Sequence, residues 1–301
     1  MYKKILIIGK GSSGKKHFIA LRAINKKFTI KIVSSREFES IFGRNFLRLV
    51  EFNPDYCVIA TPSSYHVKFI KIIEKLFKNK LILIEKPLFD KKIKPLNNIK
   101  NNYFVGYNLR YHPVLKFIKK YIKNKKIYFV KADCLTYLPD WRKINYTKTV
   151  SAKKKLGGGV KLELSHELDY LRWLFKDLKI LYSINKKISN LNIDCDDILL
   201  LNAHVNKKIF INLNLNFFSK ISRREILING KNFSLLGNLI KNQIVLIENK
   251  KEKIYKFKKF NILKSYIEEH KDLMKKNYRF TCNYKEAIET QKILDKIKVS
   301  P

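Results

Sequence analysis

Lys4-Ile5-Leu6-Ile7-Ile8-Gly9-Lys10-Gly11-Ser12-Ser13-Gly14 is a short apolar run that ends in a glycine-rich turn. Four consecutive apolar residues, Ile5 to Ile8, suit a strand buried on both faces. The next residues to repeat at helical spacing are His17, Phe18, Ala20 and Leu21. Gly9, Gly11 and Gly14 therefore stand in G-x-G-x-x-G order between an expected strand and an expected helix. Without side chains at those positions, a pyrophosphate can approach backbone N–H groups at the helix N-terminus. Gly9, Gly11, Ser12, Ser13 and Gly14 are accordingly the candidate dinucleotide-phosphate site.

Outward from this turn, strands are expected over residues 28–33, 56–60, 81–84 and 103–107, with a helix over 66–78. Strands that alternate with helices predict a doubly wound parallel sheet, a Rossmann domain over residues 1–112. The end of the second strand reads Ser34-Ser35-Arg36. NAD sites usually carry an acidic residue there. Two hydroxyls and a guanidinium instead suit a 2′-phosphate, so NADP is favoured over NAD, with Glu37 and Glu39 left as carboxylates in reach of the ribose. Two later strand ends carry Thr61-Pro62-Ser63 with His66, and Glu85-Lys86-Pro87. Ligands bind at that edge of such sheets, which makes these residues cofactor candidates too.

After Arg110-Tyr111-His112-Pro113 the pattern changes. A helix over 114–122 and a strand over 127–134 lead to Gly157-Gly158-Gly159, which opens an amphipathic helix to about residue 175. Six strand-like segments follow, at 179–188, 198–205, 209–217, 224–228, 232–236 and 243–247. One long helix before many consecutive strands predicts a second α/β domain with a large, mostly antiparallel sheet, over 113–283. A closing helix in 284–301 is expected to pack back on the Rossmann domain.

Taken in order, the glycine turn, Thr61 to His66, Glu85-Lys86-Pro87 and the stretch from Gly157 to Tyr170 resemble the Gfo/Idh/MocA oxidoreductase family over nearly the whole chain. The resemblance implies a hydride transfer between a nicotinamide and a hydroxyl or keto carbon of a sugar-like substrate. It places Lys86 beside the nicotinamide and the substrate hydroxyl, with His166 opposite it, from the second domain. A Lys or His in hydrogen-bond reach is a sensible acceptor for the proton that an alcohol must lose with its hydride. Glu163, Asp169 and Tyr170 fall three or four residues from His166, on its helical face, so a carboxylate can orient and charge the imidazole. Many family members carry Asp four residues before this His, where this chain has Glu163 three before it.

The same resemblance puts Arg110 and Tyr111 at the substrate-facing entrance to the second domain. Trp141, Arg142 and Tyr170 are further candidate sugar contacts, because rings stack on sugar faces and Arg pairs with carboxylate or phosphate. The string from Glu163 to Tyr170 looks like the subset associated with surface-carbohydrate and nonulosonic sugar pathways, which implies a nucleotide-linked or amino sugar. Homodimers or homotetramers, joined through an exposed sheet face, are also implied.

A formal charge of +39, from 64 Lys and Arg against 25 Asp and Glu, by itself suggests a polyanion partner. The lysines are spread along the chain in company with Ile and Asn, as a base-composition bias produces, and they form no binding motif. No specific nucleic acid is expected, although the field attracts anionic small molecules. The four cysteines and six histidines are dispersed, without metal-ligand spacing, so no metal is expected. No run approaches the roughly 18 apolar residues of a membrane span, and the start lacks the apolar region of a signal peptide. A cytoplasmic protein is expected. The competing functional class is a non-catalytic NAD(P)-binding sensor or scaffold, against which Lys86 and His166 both count.

Overall fold

The structure, a computed structural model, describes residues 3–39 and 49–298. The chain forms two compact units. The first holds the residues up to Asn108 together with Asn261–Gln291, and the second holds Leu109–Phe260 and the residues from Lys292 on.

In the first unit, β1 (Lys4–Ile8), β2 (Thr29–Val33), β3 (Tyr56–Ile59), β4 (Leu81–Ile84) and β5 (Asn102–Val105) form a parallel sheet, edged by a short antiparallel β14 (Cys282–Asn283). The order is β14-β5-β4-β3-β1-β2. The chain leaves β1 to one side and returns on the other, so the switch point lies between β1 and β3, where open α/β sheets take their ligands. Helices cover both faces, which explains the uninterrupted apolar strands. Leu6, Ile8, Cys57, Ile59, Ile82 and Ile84 face one core. Ile5, Ile7, Tyr56, Val58 and Leu83 face the other, together with Leu21 and Leu273.

Leu21 belongs to α1 (Ser12–Ile24) and Leu273 to α7 (Ile262–Met274), which pack together. Asn261 caps α7 by accepting the Lys264 N–H at 2.8 Å. Residues 261–283 were expected in the second domain; the structure puts them in the first unit, because the apolar stripe of α7 completes the core beside α1. Within the first unit, the start of the last helix, α8 (Tyr284–Lys296), is held by Leu96 N–H to Tyr284 Oη at 3.0 Å and Phe89 N–H to Gln291 Oε1 at 3.2 Å.

The second unit opens with α4 (Pro113–Tyr121), where Pro113 takes the first helical turn and His112 Nδ1 accepts the Val114 N–H. Its sheet has eight strands: β6 (Ile127–Tyr137), β7 (Leu178–Lys186), β8 (Ile198–Val205), β9 (Ile209–Asn216), β10 (Phe218–Gly230), β11 (Phe233–Asn238), β12 (Gln243–Glu248) and β13 (Lys251–Lys256). Their order is β13-β12-β11-β10-β6-β9-β8-β7, antiparallel except for the pair β6 and β9. Burial alternates along the strands. Val130, Ala132, Ile211, Leu213, Leu199, Leu201, Ile226 and Leu235 point into the core. Strand β13, Lys-Glu-Lys-Ile-Tyr-Lys, is a charged edge strand without apolar alternation. The helix expected as one piece after the glycine run is two, α5 (Val160–Glu163) and α6 (Ser165–Phe175), broken at Leu164 with φ −98° and ψ 26°.

Candidate active site

Gly9 sits at the switch point with φ +121°, a left-handed value that favours glycine, and donates its N–H to Val33 O at 2.7 Å. A Cβ on Gly9 would lie 2.2 Å from Ala60 O, and one on Gly14 would lie 1.9 Å from Gly9 O. These two glycines let β1, β3 and α1 approach closely. Gly11 differs, since a Cβ there would meet no protein atom within 4 Å. Gly11 is the N-cap of α1 and no side chain caps that end. The head of α1 is thus open in front of first-turn N–H groups, the arrangement that a pyrophosphate needs. Ser12 is exposed and Ser13 half-buried at this end.

The end of β2 passes into α2 (Ser35–Glu39) through a reciprocal cap. Glu37 N–H donates to Ser34 Oγ at 3.1 Å, and the Glu37 carboxylate accepts the Ser34 N–H. The same carboxylate takes Lys10 Nζ of the glycine turn at 2.8 Å. The Lys10 hydrogen bond, then those of Ser34, hold Glu37 down at about 2. Ser34 and Ser35 are half-buried and Arg36 is exposed. The end of β2, expected to face the ribose, thus carries a carboxylate held towards its charged form, one that the sequence left among several alternatives.

At the ends of β3 and β4, Thr61 and Ser63 are buried, Pro62 is half-buried, and Thr61 Oγ1 has no hydrogen-bond partner. A buried hydroxyl left unsatisfied at the ligand edge of the sheet fits a site that takes its last donor or acceptor from a cofactor. His66, expected to touch the cofactor, is instead fully buried at the start of α3 (His66–Leu76). Its Nδ1 lies 3.1 Å from both Pro87 O and Leu88 O, and its Nε2 lies 3.1 Å from Thr61 O. The ring thus sits between the Thr61 turn and the Glu-Lys-Pro turn and donates from whichever nitrogen carries its proton. Burial pushes its pKa below the ordinary value despite those carbonyls.

Glu85 is also spent inward. Its Oε1 accepts His17 Nε2–H at 3.1 Å and Tyr266 Oη–H at 3.0 Å, while its Oε2 accepts the backbone N–H of Lys86 at 3.2 Å. His17 Nδ1 meets His270 Nε2 at 2.9 Å, and His270 Nδ1 meets Tyr56 Oη at 2.7 Å. Burial opposes ionisation of Glu85, but the attraction of His17 and Lys86 and the bond from Tyr266 outweigh it and hold the carboxyl at about 2. Burial, reinforced by His17, pushes His270 well below its ordinary value, so it is neutral. Lys86 itself is half-buried and its bond to the buried Pro87 is cis. His17, Tyr56, Tyr266 and His270 were missed in the sequence, because their partners stand up to 253 residues away.

In the second unit, Gly159 (φ +105°) admits Asp196, whose Oδ1 would lie 2.4 Å from a Cβ there and whose Oδ2 accepts the Lys161 N–H at 2.8 Å. Asp196 thereby fixes the turn that carries Glu163. Since the helix breaks at Leu164, Glu163 is not on one continuous helical face with His166. Both are half-buried. The two oxygens of Asp169 receive Arg110 Nε and Nη2 at 2.8 and 2.7 Å. Arg110, expected to face substrate, is buried in that pair, and Tyr111 is buried beside it in the chain.

Tyr170 is fully buried in α6, and burial raises its phenol well above the ordinary value. Its helical neighbour Glu167 takes Arg224 Nε at 2.7 Å. Trp141 is anchored by Nε1–H to Thr136 Oγ1 at 2.6 Å and by an edge contact with Phe217, while Arg142 is exposed. Among the described residues, no cluster of His, Cys, Asp or Glu is arranged to hold a metal ion. Among them, too, no helix is long and apolar enough to cross a membrane.

No protein-family model matches the sequence, and no curated protein does. Solved structures match over almost the full length. UDP-N-acetylglucosamine 3-dehydrogenase GnnA from Acidithiobacillus ferrooxidans superposes with a TM-score of 0.77 at 14% identity, over 99% of this chain and 97% of that one. The WlbA dehydrogenase from Bordetella pertussis, in complex with NADH and UDP-GlcNAcA, gives 0.72 at 16%, over 98% and 94%. An inositol dehydrogenase homolog complexed with NAD+, from Azotobacter vinelandii, gives 0.77 at 12%, over 98% and 94%. At such identities the match is one of fold: this chain has the two-part architecture of these dehydrogenases, as the resemblance to Gfo/Idh/MocA proteins implied.

Proposed function

We propose that the protein is a nicotinamide-dependent oxidoreductase acting on a hydroxyl or keto carbon of a sugar or sugar derivative. The observation that carries this reading is the open head of α1 at Gly11, beside the strand ends that bear Thr61 and Glu85-Lys86-Pro87. Gly9, Gly11, Ser12, Ser13 and Gly14 would hold the pyrophosphate, Ser34 to Glu37 the adenosine ribose, and Thr61 to Ser63 with Lys86 the nicotinamide side. When bound, the dinucleotide supplies a hydride acceptor or donor. Oxidation of the alcohol then requires the chain to take one proton from the hydroxyl, and reduction to return it. Lys86 exchanges that proton. His166 is the second proton-handling group, with Glu163 or Asp169 tuning it.

NAD suits the site better than the NADP expected from Ser34-Ser35-Arg36, because a carboxylate held at about 2 repels a 2′-phosphate and accepts ribose hydroxyls. A sugar nucleotide of the kind named for the GnnA and WlbA structures suits the charge of +39. The exposed sheet face, with Tyr182 at 61%, Ile254 at 54% and Phe210 at 52%, supports a homodimer or homotetramer built through it. The test is turnover of UDP-N-acetylglucosamine and of its uronic acid with NAD+, followed by absorbance of the reduced nicotinamide. Lys86→Met should abolish turnover while leaving cofactor binding nearly intact, and retained turnover would remove Lys86 from the mechanism.

A further inference from the structure

Helix α6 carries two buried acids, Glu167 and Asp169, and each meets an arginine in a different way. Asp169 takes Arg110 through two bonds, with both side chains 1% exposed. A guanidinium fork closed on a carboxylate in this manner serves the fold. Glu167 takes Arg224 through Nε alone, at 2.7 Å, and while the Glu167 side chain is fully buried, that of Arg224 stays 25% exposed. Among the described residues Arg224 has no second acceptor, so the N–H donors on both its Nη groups are left over. Strand geometry sets the direction. Arg224 pairs with Cys134 of β6, and Ile226 and Ile228, further along β10, lie in the core, so Arg224 points to the side of the sheet that meets α6. Its neighbour Arg223 points to the other side, where Asp133 and Glu225 lie 3.9 and 3.7 Å from it.

We propose that Arg224 binds an acidic group of the substrate, a carboxylate or a phosphate, through its two Nη groups. Glu167 prepares it: the bond at Nε fixes the plane of the guanidinium, and the carboxylate offsets the cost of holding a cation among packed residues. The planar fork that remains matches two oxygens of one anion, which an ammonium cannot do. Tyr170, one turn along α6 from Glu167, adds a second observation. It is fully buried, its Oη has no hydrogen-bond partner among the described residues, and Glu167 and Arg224 are among the charges that act on it. A buried hydroxyl without a partner, near a guanidinium with unused donors, marks a place that a polar ligand completes. Glu167 directly follows His166 in the chain, so Arg224 stands beside the turn of α6 that bears the second proton-handling group. The assignment of this anion to the substrate rests on the oxidoreductase reading; the anion site itself does not.

The test uses the wild-type full chain and needs no turnover. Phenylglyoxal, which condenses with accessible guanidinium groups, is applied at low dose, and labelling of Arg224 is read by mass spectrometry relative to the exposed Arg279 of the first unit. UDP-glucuronate, UDP-glucose, glucuronate and glucose are added in turn at matched ionic strength. Saturable protection of Arg224, on the order of tenfold, is expected from at least one acidic probe, with none from glucose. Protection by the two uronates alone identifies a carboxylate, and equal protection by both UDP-sugars without any from glucuronate identifies the diphosphate. Arg224→Lys keeps a cation opposite Glu167 but loses the fork, so calorimetry should show the protecting probe bound about tenfold more weakly. The paired change Arg224→Gln with Glu167→Gln leaves no buried ion alone and should give at least the same loss, which keeps the question decidable if Arg224→Lys fails to fold. Labelling that no acidic probe slows, protection by glucose as strong as by the acids, or undiminished affinity in a folded variant would overturn the proposal. An NADH titration of the same protein separates the two failures. NADH binding without protection removes Arg224 alone, and protection without binding of NADH or NADPH keeps the anion site and removes the oxidoreductase reading.

Discussion

Arg110 and Asp169 close on each other through two parallel hydrogen bonds, Nε to Oδ2 at 2.8 Å and Nη2 to Oδ1 at 2.7 Å, with both side chains 1% exposed. The guanidinium also lies 5.8 Å from the Trp173 ring centroid, so α6 is pinned to the segment that enters the second unit. Removing one partner leaves a buried charge without its counter-ion. Asp169→Asn should cost about 3–5 kcal/mol of stability. The paired replacement Arg110→Met with Asp169→Leu should cost less than Asp169→Asn alone. Urea unfolding of wild type and the two variants checks the order.

The glycines of the first turn separate by what surrounds them. Gly14→Ala drives a methyl group into the Gly9 carbonyl at 1.9 Å, against backbone that cannot turn aside. It should unfold the first unit or lower its melting temperature by ten degrees or more, on the order expected for a loss of 2–4 kcal/mol. Gly11→Ala meets nothing within 4 Å and should melt within about two degrees of wild type, because the new methyl group displaces no protein atom.

Acid should destabilise the fold in two stages. His66, His112 and His270 are all pushed below their ordinary value of 6.5 by burial, His112 to about 4. Below pH 6.5 the unfolded chain binds protons that the folded chain refuses, so stability falls with pH, by up to three protons' worth of slope. Glu85 adds a lower stage. Its folded value of about 2 lies under the ordinary 4.5, so its contribution is complete above pH 4.5 and is lost as pH falls towards 2. Urea unfolding at stepped pH should show both stages in wild type, with the lower one shallower in Glu85→Gln.

On the proposed reading, cofactor choice rests on Glu37. Wild type should bind NADH more tightly than NADPH. Glu37→Ser removes the carboxylate and frees Lys10 beside Arg36. That change should move the preference towards NADPH by about tenfold, the scale of one like-charge contact near a surface. Paired fluorescence titrations of the two cofactors check this, and an unchanged ratio would remove Glu37 from the ribose site.

Much of the fold was legible because local signals agreed with it. The apolar runs of β1, β3 and β4 and the glycine spacing stated strand, turn and helix without help from distant residues. Alternation in β8, β9 and β11 did the same for the second sheet. What stayed hidden depended on contacts that sequence distance conceals. Residues 261–283 read as part of the second domain until α7 was seen beside α1. Asp169 and Tyr170 shared a helical face with His166 on paper, but a helical wheel cannot say that Arg110 claims the carboxylate or that the phenol is packed away. Ser34-Ser35-Arg36-Glu37 did carry a legible signal, a hydroxyl three residues before a carboxylate at a helix start. Reading it as a cap would have placed Glu37 beside the glycine turn at once.

The central claim, a dinucleotide site at the head of α1, is met most directly by titrating NADH into wild type and Gly11→Ala and following nicotinamide fluorescence at near-physiological salt. Saturable binding to wild type, weakened at least tenfold in a Gly11→Ala protein that still melts normally, is the expected result. Failure of wild type to bind either NADH or NADPH, or equal binding by the two proteins, would contradict it.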